Sequence, residues 1–142
     1  MRVLLLALVI AIGAAPTALA QESELEQTLE RLAALWARGD ASALAGLSAR
    51  AGLALVLDGS PVGPLAPRQA AAVLRRIFDE RETVGLKTGF AKIVGGAPRR
   101  AFAELNWLAR ARGTTIPERA TVFLALVQEA DGWRITQIRL LP

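Results

Sequence analysis

Apolar residues recur at Leu25, Leu29, Leu32, Ala33 and Trp36, steps of four, three, one and three that gather them on one face of a helix. Ser23 stands three residues ahead of Glu26, the spacing at which each side chain satisfies a free N–H of a first helical turn. Arg38 followed by Gly39 supplies a stop, so the pattern predicts a helix over residues 24–38. Asp40 can cap a shorter helix running to about Leu47, with Leu44 and Leu47 on one side. Over residues 51–58 the period becomes two: Leu53, Leu55 and Leu57 alternate with Ala54, Val56 and Asp58, which predicts a strand. Residues 59–67 hold three prolines and two glycines and read as a turn or loop, with room for a short edge strand. Pro67 suits the first turn of a third helix, where its missing N–H costs nothing. That helix buries Ala70, Val73, Leu74, Ile77 and Phe78 to about Glu82 and turns Arg68, Arg75, Arg76 and Asp79 outward.

Beyond Thr83 no helical period recurs. Four extended runs, 84–94, 99–112, 118–129 and 133–141, are divided by Gly95-Gly96-Ala97-Pro98, by residues 113–117 and by Asp131-Gly132. Asp-Gly between apolar runs is a strong hairpin signal, and the last three runs read as an antiparallel meander. Segregated helices and consecutive hairpins predict an α+β fold: three N-terminal helices packed on a curved antiparallel sheet of four to six strands. Val122, Leu124 and Leu126 alternate with Phe123, Ala125 and Val127, so both faces of that strand are apolar. A sheet with one wet face shows polar residues at every second position, so a second cover is expected beyond the helices. The natural one is a second subunit packed sheet to sheet as a two-fold homodimer.

The first twenty residues are built differently. Arg2 precedes an unbroken ten-residue apolar run over 3–12, then Gly13, Pro16 and the small-residue stretch Ala18-Leu19-Ala20. This reads as a secretory signal peptide, 1–20, cleaved between Ala20 and Gln21; Pro16 interrupts the run before the roughly 20 residues a membrane span needs. The expectation is a secreted or periplasmic protein with no stable membrane anchor after cleavage and a single domain over 21–142. A chain of that length buries roughly 65% of its extended surface, enough for a core without disulfides. Removing Arg2 from the 17 Lys and Arg leaves 16 bases against 13 acids. The bases are interspersed with acids and lack interleaved exposed aromatics, so no nucleic-acid partner is expected.

The 142 residues contain no Cys, His or Tyr. Thiolate nucleophiles, zinc–thiolate sites, disulfides and a histidine proton shuttle are excluded with them, and no metal or cofactor motif appears. What acid–base chemistry survives rests on a carboxylate shifted by burial. The candidates are Glu104 as base and Asn106 as donor on the 99–112 strand, with Arg110 as an anion clamp, and Asp58 at the end of its strand. Alternation sets Glu104 and Asn106 on the side opposite Trp107, which favours the outer face of the sheet, and Asp58 beside a Pro/Gly loop suits a turn. Trp36, Phe78 and Trp107 fall on inward faces, where they fill a core or line an apolar cavity.

Leu35-Trp36 with Gly39-Asp40 and Leu44, the loop and helix from Leu65 through Gln69-Ala70 to Phe78, and Gly132-Trp133-Arg134-Ile135 opening the last strand carry a resemblance. The chain resembles the nuclear transport factor 2-like superfamily, and within it looks most like the exported bacterial group catalogued as domain of unknown function 4783. The resemblance implies a cone of three helices against a strongly curved sheet, often paired through the sheet. Catalytic members place Asp, His, Tyr or Arg inside the cone, and the absence of His and Tyr here counts against an enzyme. The leading expectation is an exported, non-catalytic domain binding a small apolar ligand or a protein partner. The alternatives are a cofactor-independent isomerase, hydrolase or lyase with a lone carboxylate, and a purely structural dimerisation module. An inward carboxylate beside a donor marks the enzyme, an empty apolar cone the binder, and a filled cone the module.

Overall fold

The computed structural model describes residues 18–142. The elements run α1 (Ala18–Arg38), α2 (Ala41–Ala45), β1 (Leu53–Leu57), β2 (Ser60–Leu65), α3 (Pro67–Glu80), β3 (Arg81–Val94), β4 (Arg100–Ala111), β5 (Glu118–Glu129) and β6 (Gly132–Leu141). The six strands form one sheet in the order β2-β1-β6-β5-β4-β3, with the helices over one face. The α+β architecture therefore stands as expected.

Three details depart from the sequence reading. The Ser23–Glu26 pair does not open a helix: α1 already runs from Ala18, and Gln21, only 7% exposed, lies on its buried face. The first-turn N–H groups that a capping box would serve are paired within the helix instead. Ala20 and Gln21 lie in this first stretch of α1, whereas most of the expected leader, residues 1–17, lies outside the described residues. Residues 59–67 hold an edge strand, since β2 pairs antiparallel with β1 across the two-residue turn Asp58-Gly59. An edge strand needs only every second N–H, so prolines do not abolish it. Finally, the sheet is not wholly antiparallel, because β1 lies parallel to β6 in the register Ala54↔Gln137 to Leu57↔Leu140. Alternation reports which face of a strand is wet and carries nothing about the direction of its neighbour.

The helix ends are built from ordinary parts. Gly39 closes α1 at φ +66, with its N–H and that of Asp40 bonded back to the carbonyls of Trp36 and Leu35. The Asp40 carboxylate then accepts from the Ala43 N–H at 3.1 Å and starts α2. Pro67 opens α3, and the Gln69 side chain accepts from the Ala66 N–H at 3.2 Å. Ladder irregularities at Thr83/Gly85, Thr88/Ala91 and Ala125/Leu126 bend β3 and the β5–β6 pair round the helices. The space enclosed is filled by leucines from all three helices and by Leu53, Leu55, Leu105, Val122, Leu124, Ile135 and Ile138 from the sheet.

Candidate functional site

Inside the cone, Trp36, Phe78 and Trp107 meet one another. The Trp36 ring stands edge to face on Phe78 at 5.0 Å and on Trp107 at 5.3 Å, and Trp36 and Trp107 are each 1% exposed. The Trp107 indole N–H donates to Thr83 Oγ1 at 2.8 Å, and the Arg81 guanidinium lies 6.0 Å over its ring. Trp36 Nε1 is buried without a hydrogen-bond partner. Neither Trp36 nor Phe78 lines any of the three cavities described below, and the rings pack with Trp36 between the other two.

No carboxylate joins them. Among the described residues Gln21 is the only buried one of polar or charged type, so no carboxylate is buried in an apolar surround. Asp58 sits in the β1–β2 turn at φ +51, followed by Gly59 at φ +78, the left-handed pair that a two-residue hairpin turn demands. Asp58 borders a cleft of about 160 Å³ with Arg81, Glu118 and Arg119, and makes no ion pair there. No cluster of three metal-ligating side chains occurs among the described residues. A third cavity, about 540 Å³, is an open hollow between α1 and the β5–β6 turn, with Glu24, Arg31 and Asp131 in its wall.

Glu104 and Asn106 stand on the outer face of the sheet, away from the helices. Along β4, Ala101, Ala103, Leu105, Trp107 and Ala109 are buried, while Phe102, Glu104, Leu108 and Arg110 are half-buried and Asn106 is exposed. The same face of β5 carries Arg119, Thr121, Phe123, Ala125 and Val127. Phe102 stacks on Phe123 at 5.8 Å with an interplanar angle of 26°. Val56 and Val127, both 8% exposed, are buried yet stand outside the core cluster beneath the helices. Register places Glu104, Phe123, Arg139 and Val56 side by side in one row across β4, β5, β6 and β1.

The charges of this face are mostly basic. Arg110 holds Glu82 at 2.8 Å, and that hydrogen bond and the positive charge lower the Glu82 pKa from 4.5. Arg134 likewise pairs with Asp131 and lowers its pKa. Lys87, Lys92, Arg100, Arg119 and Arg139 have no ion-pair partner among the described residues. Between two of them lies a groove of about 410 Å³ over β3, β4 and β5, lined by Gly85, Lys87, Asn106, Leu108, Arg119 and Thr121 among others. Sequence reasoning named Asn106 but not the groove. Its floor is the side chain that Gly85 lacks, and alternation does not show that.

No family model matches the chain, and no curated protein does. Solved structures do. A DUF4783 family protein from Bacteroides ovatus superposes with a TM-score of 0.63 at 15% identity over 77% of this chain and 89% of its own. A domain of unknown function with a cystatin-like fold from Nostoc punctiforme gives a TM-score of 0.66 at 15% identity over 88% and 78%. The chain has a nuclear transport factor 2-like, cystatin-like fold. A nuclear transport factor 2-like protein from Novosphingobium aromaticivorans, 19% identical over 86% of this chain and 81% of its own, has a TM-score of 0.59. The likeness is one of fold. Within the nuclear transport factor 2-like cone of this chain the interior is packed, and the polar and charged chemistry lies on the outer sheet face.

Proposed function

We propose that this is an exported, non-catalytic pairing domain whose working surface is the outer face of the sheet and whose partner is a second copy of the chain. The export half of the reading rests on the leader-like residues 1–20. The pairing half rests on one observation, the row Glu104–Phe123–Arg139, which is complementary to itself. When two such faces meet about a two-fold axis laid along β5, each copy is turned over so that its β4 lies across the other's β6. Phe123 then meets Phe123, and Glu104 faces Arg139 twice. An axis laid across the strands instead opposes Glu104 to Glu104 and Arg139 to Arg139, so the charges choose the first arrangement. The three rings and the leucines packed round them favour a filled cone over a ligand binder, and among the described residues no carboxylate is buried in it.

Charge reversal tests this directly. Each of Glu104→Arg and Arg139→Glu replaces two attractions per dimer with two repulsions, about 2–4 kcal/mol for exposed pairs or roughly a hundredfold in the dimer constant. Sedimentation velocity at about 10 μM should show a dimer for the natural chain, a monomer for each single variant and a dimer again for the double reversal. A monomeric natural chain, or single variants that pair as well as it does, overturns the proposal.

A further inference from the structure

We infer that the outer-face groove binds a small molecule that carries an oxyanion, a carboxylate or a phosphate, on a short apolar body. Its two rows are set by register: Gly85, Leu108 and Arg119 lie side by side, and Lys87, Asn106 and Thr121 form the next row on the same face. Lys87 and Arg119 therefore stand diagonally across β4 on opposite sides of the groove. Neither has an ion-pair partner among the described residues, and none of the side chains lining the groove is acidic; Pro142, which carries the terminal carboxylate of this sequence, also stands in its wall and makes no ion pair with either cation. The Thr121 hydroxyl adds hydrogen-bonding capacity in the Lys87 row, and Asn106, whose amide nitrogen leans toward Gly89, borders the groove on that side. Leu108 supplies an apolar side, and at Gly85 the missing side chain leaves depth. A volume of about 410 Å³ falls within the roughly 300–1,000 Å³ of small-ligand sites. Glu104 lies one row further along β4, in a row that also holds Arg139.

This goes beyond the pairing reading and needs only one chain. The two meet at one point: the axis along β5 also brings the Arg119 side chains of two copies toward each other, and an anion seated there lowers their repulsion.

The test is a titration of the full chain with octanoate, monooctyl phosphate, inorganic phosphate and 1-octanol, followed by calorimetry and by amide NMR shifts. One of the two amphipathic anions should saturate with shifts at residues 85–87, 106–108 and 119–121, which names the headgroup. Inorganic phosphate and 1-octanol should each bind at least tenfold more weakly. Arg119→Gln should weaken the favoured probe about tenfold or more, as loss of a charged hydrogen bond does. Gly85→Leu fills the groove with little strain, since a Cβ there meets only the Leu108 Cβ at 3.8 Å, and should abolish binding while the rest of the spectrum holds. Absence of saturation, shifts that map to another surface, or undiminished binding by Gly85→Leu and Arg119→Gln overturns the inference. Binding by the Arg139→Glu variant, which the pairing reading makes monomeric, separates the fates of the two: binding retained there supports the groove even if the natural chain never pairs.

Discussion

Trp36→Ala tests whether the cone is filled. Trp36 is 1% exposed and holds edge-to-face contacts with both Phe78 and Trp107. Truncating a buried tryptophan costs about 3–5 kcal/mol, and the two ring pairs, each about 0.5–1.5 kcal/mol beyond area, place this site near the upper end. With a urea slope of about 1.5–2 kcal/mol/M the unfolding midpoint should fall by about 2–3 M. The hole left is apolar and flat, the shape of an indole. Indole bound with a Kd of about 1 mM and supplied at 10 mM returns RT ln 11, about 1.4 kcal/mol. Urea denaturation followed by far-UV circular dichroism, with and without indole, reads both quantities. Trp36→Phe, with a smaller loss, covers the case in which the alanine variant does not fold. The reasoning fails if the alanine variant loses less than about 1 kcal/mol, or if indole stabilises the natural chain as much as the variant, since an open cone behaves in that way.

Three further outcomes are expected. Thr83→Val removes the acceptor of the buried Trp107 N–H and should cost about 1–3 kcal/mol by denaturation, whereas Thr83→Ser keeps the bond and most of the stability. Gly39→Ala should cost about 1–2 kcal/mol in the same assay, because φ is +66 and the new Cβ meets Phe78 Cβ and Cγ at 3.3 Å. Arg110→Gln should raise the Glu82 titration midpoint toward 4.5 in carboxyl-detected NMR. In the natural chain the folded-state pKa lies below the unfolded one. The contribution of the Glu82–Arg110 pair is therefore present above about pH 4.5 and fades as pH falls through the lowered value.

Much of the fold was legible because most turns are local chemistry. Asp131-Gly132 and the glycine-rich connections mark the meander, and the apolar stripe from Ala70 to Phe78 marks α3. Face assignment held too: Trp107 and Glu104 point to opposite sides, as strict alternation along β4 requires. The errors come from signals with two readings. Ser23 and Glu26 satisfy a capping rule, yet they also fit the exposed face of a helix already under way, and only the burial of Gln21 separates the two. Pro61 and Pro64 break an interior strand but are tolerated at an edge, and whether β2 is an edge depends on a neighbour about eighty residues away. The groove depends on the same kind of long-range fact: Gly85 reads as a breaker until Leu108 and Arg119 are known to lie beside it.

The parallel seam between β1 and β6 has a consequence for biogenesis. Leu55 waits for Ile138, and across a similar gap in sequence the Ala49 N–H donates to the Ile135 carbonyl while the Ile135 N–H donates to the Leu47 carbonyl. The early hairpin and the late meander therefore stay separate until the final ten or so residues have been delivered. The last strand to be made is thus the one that fastens the first, and until it arrives the sheet stays in two pieces.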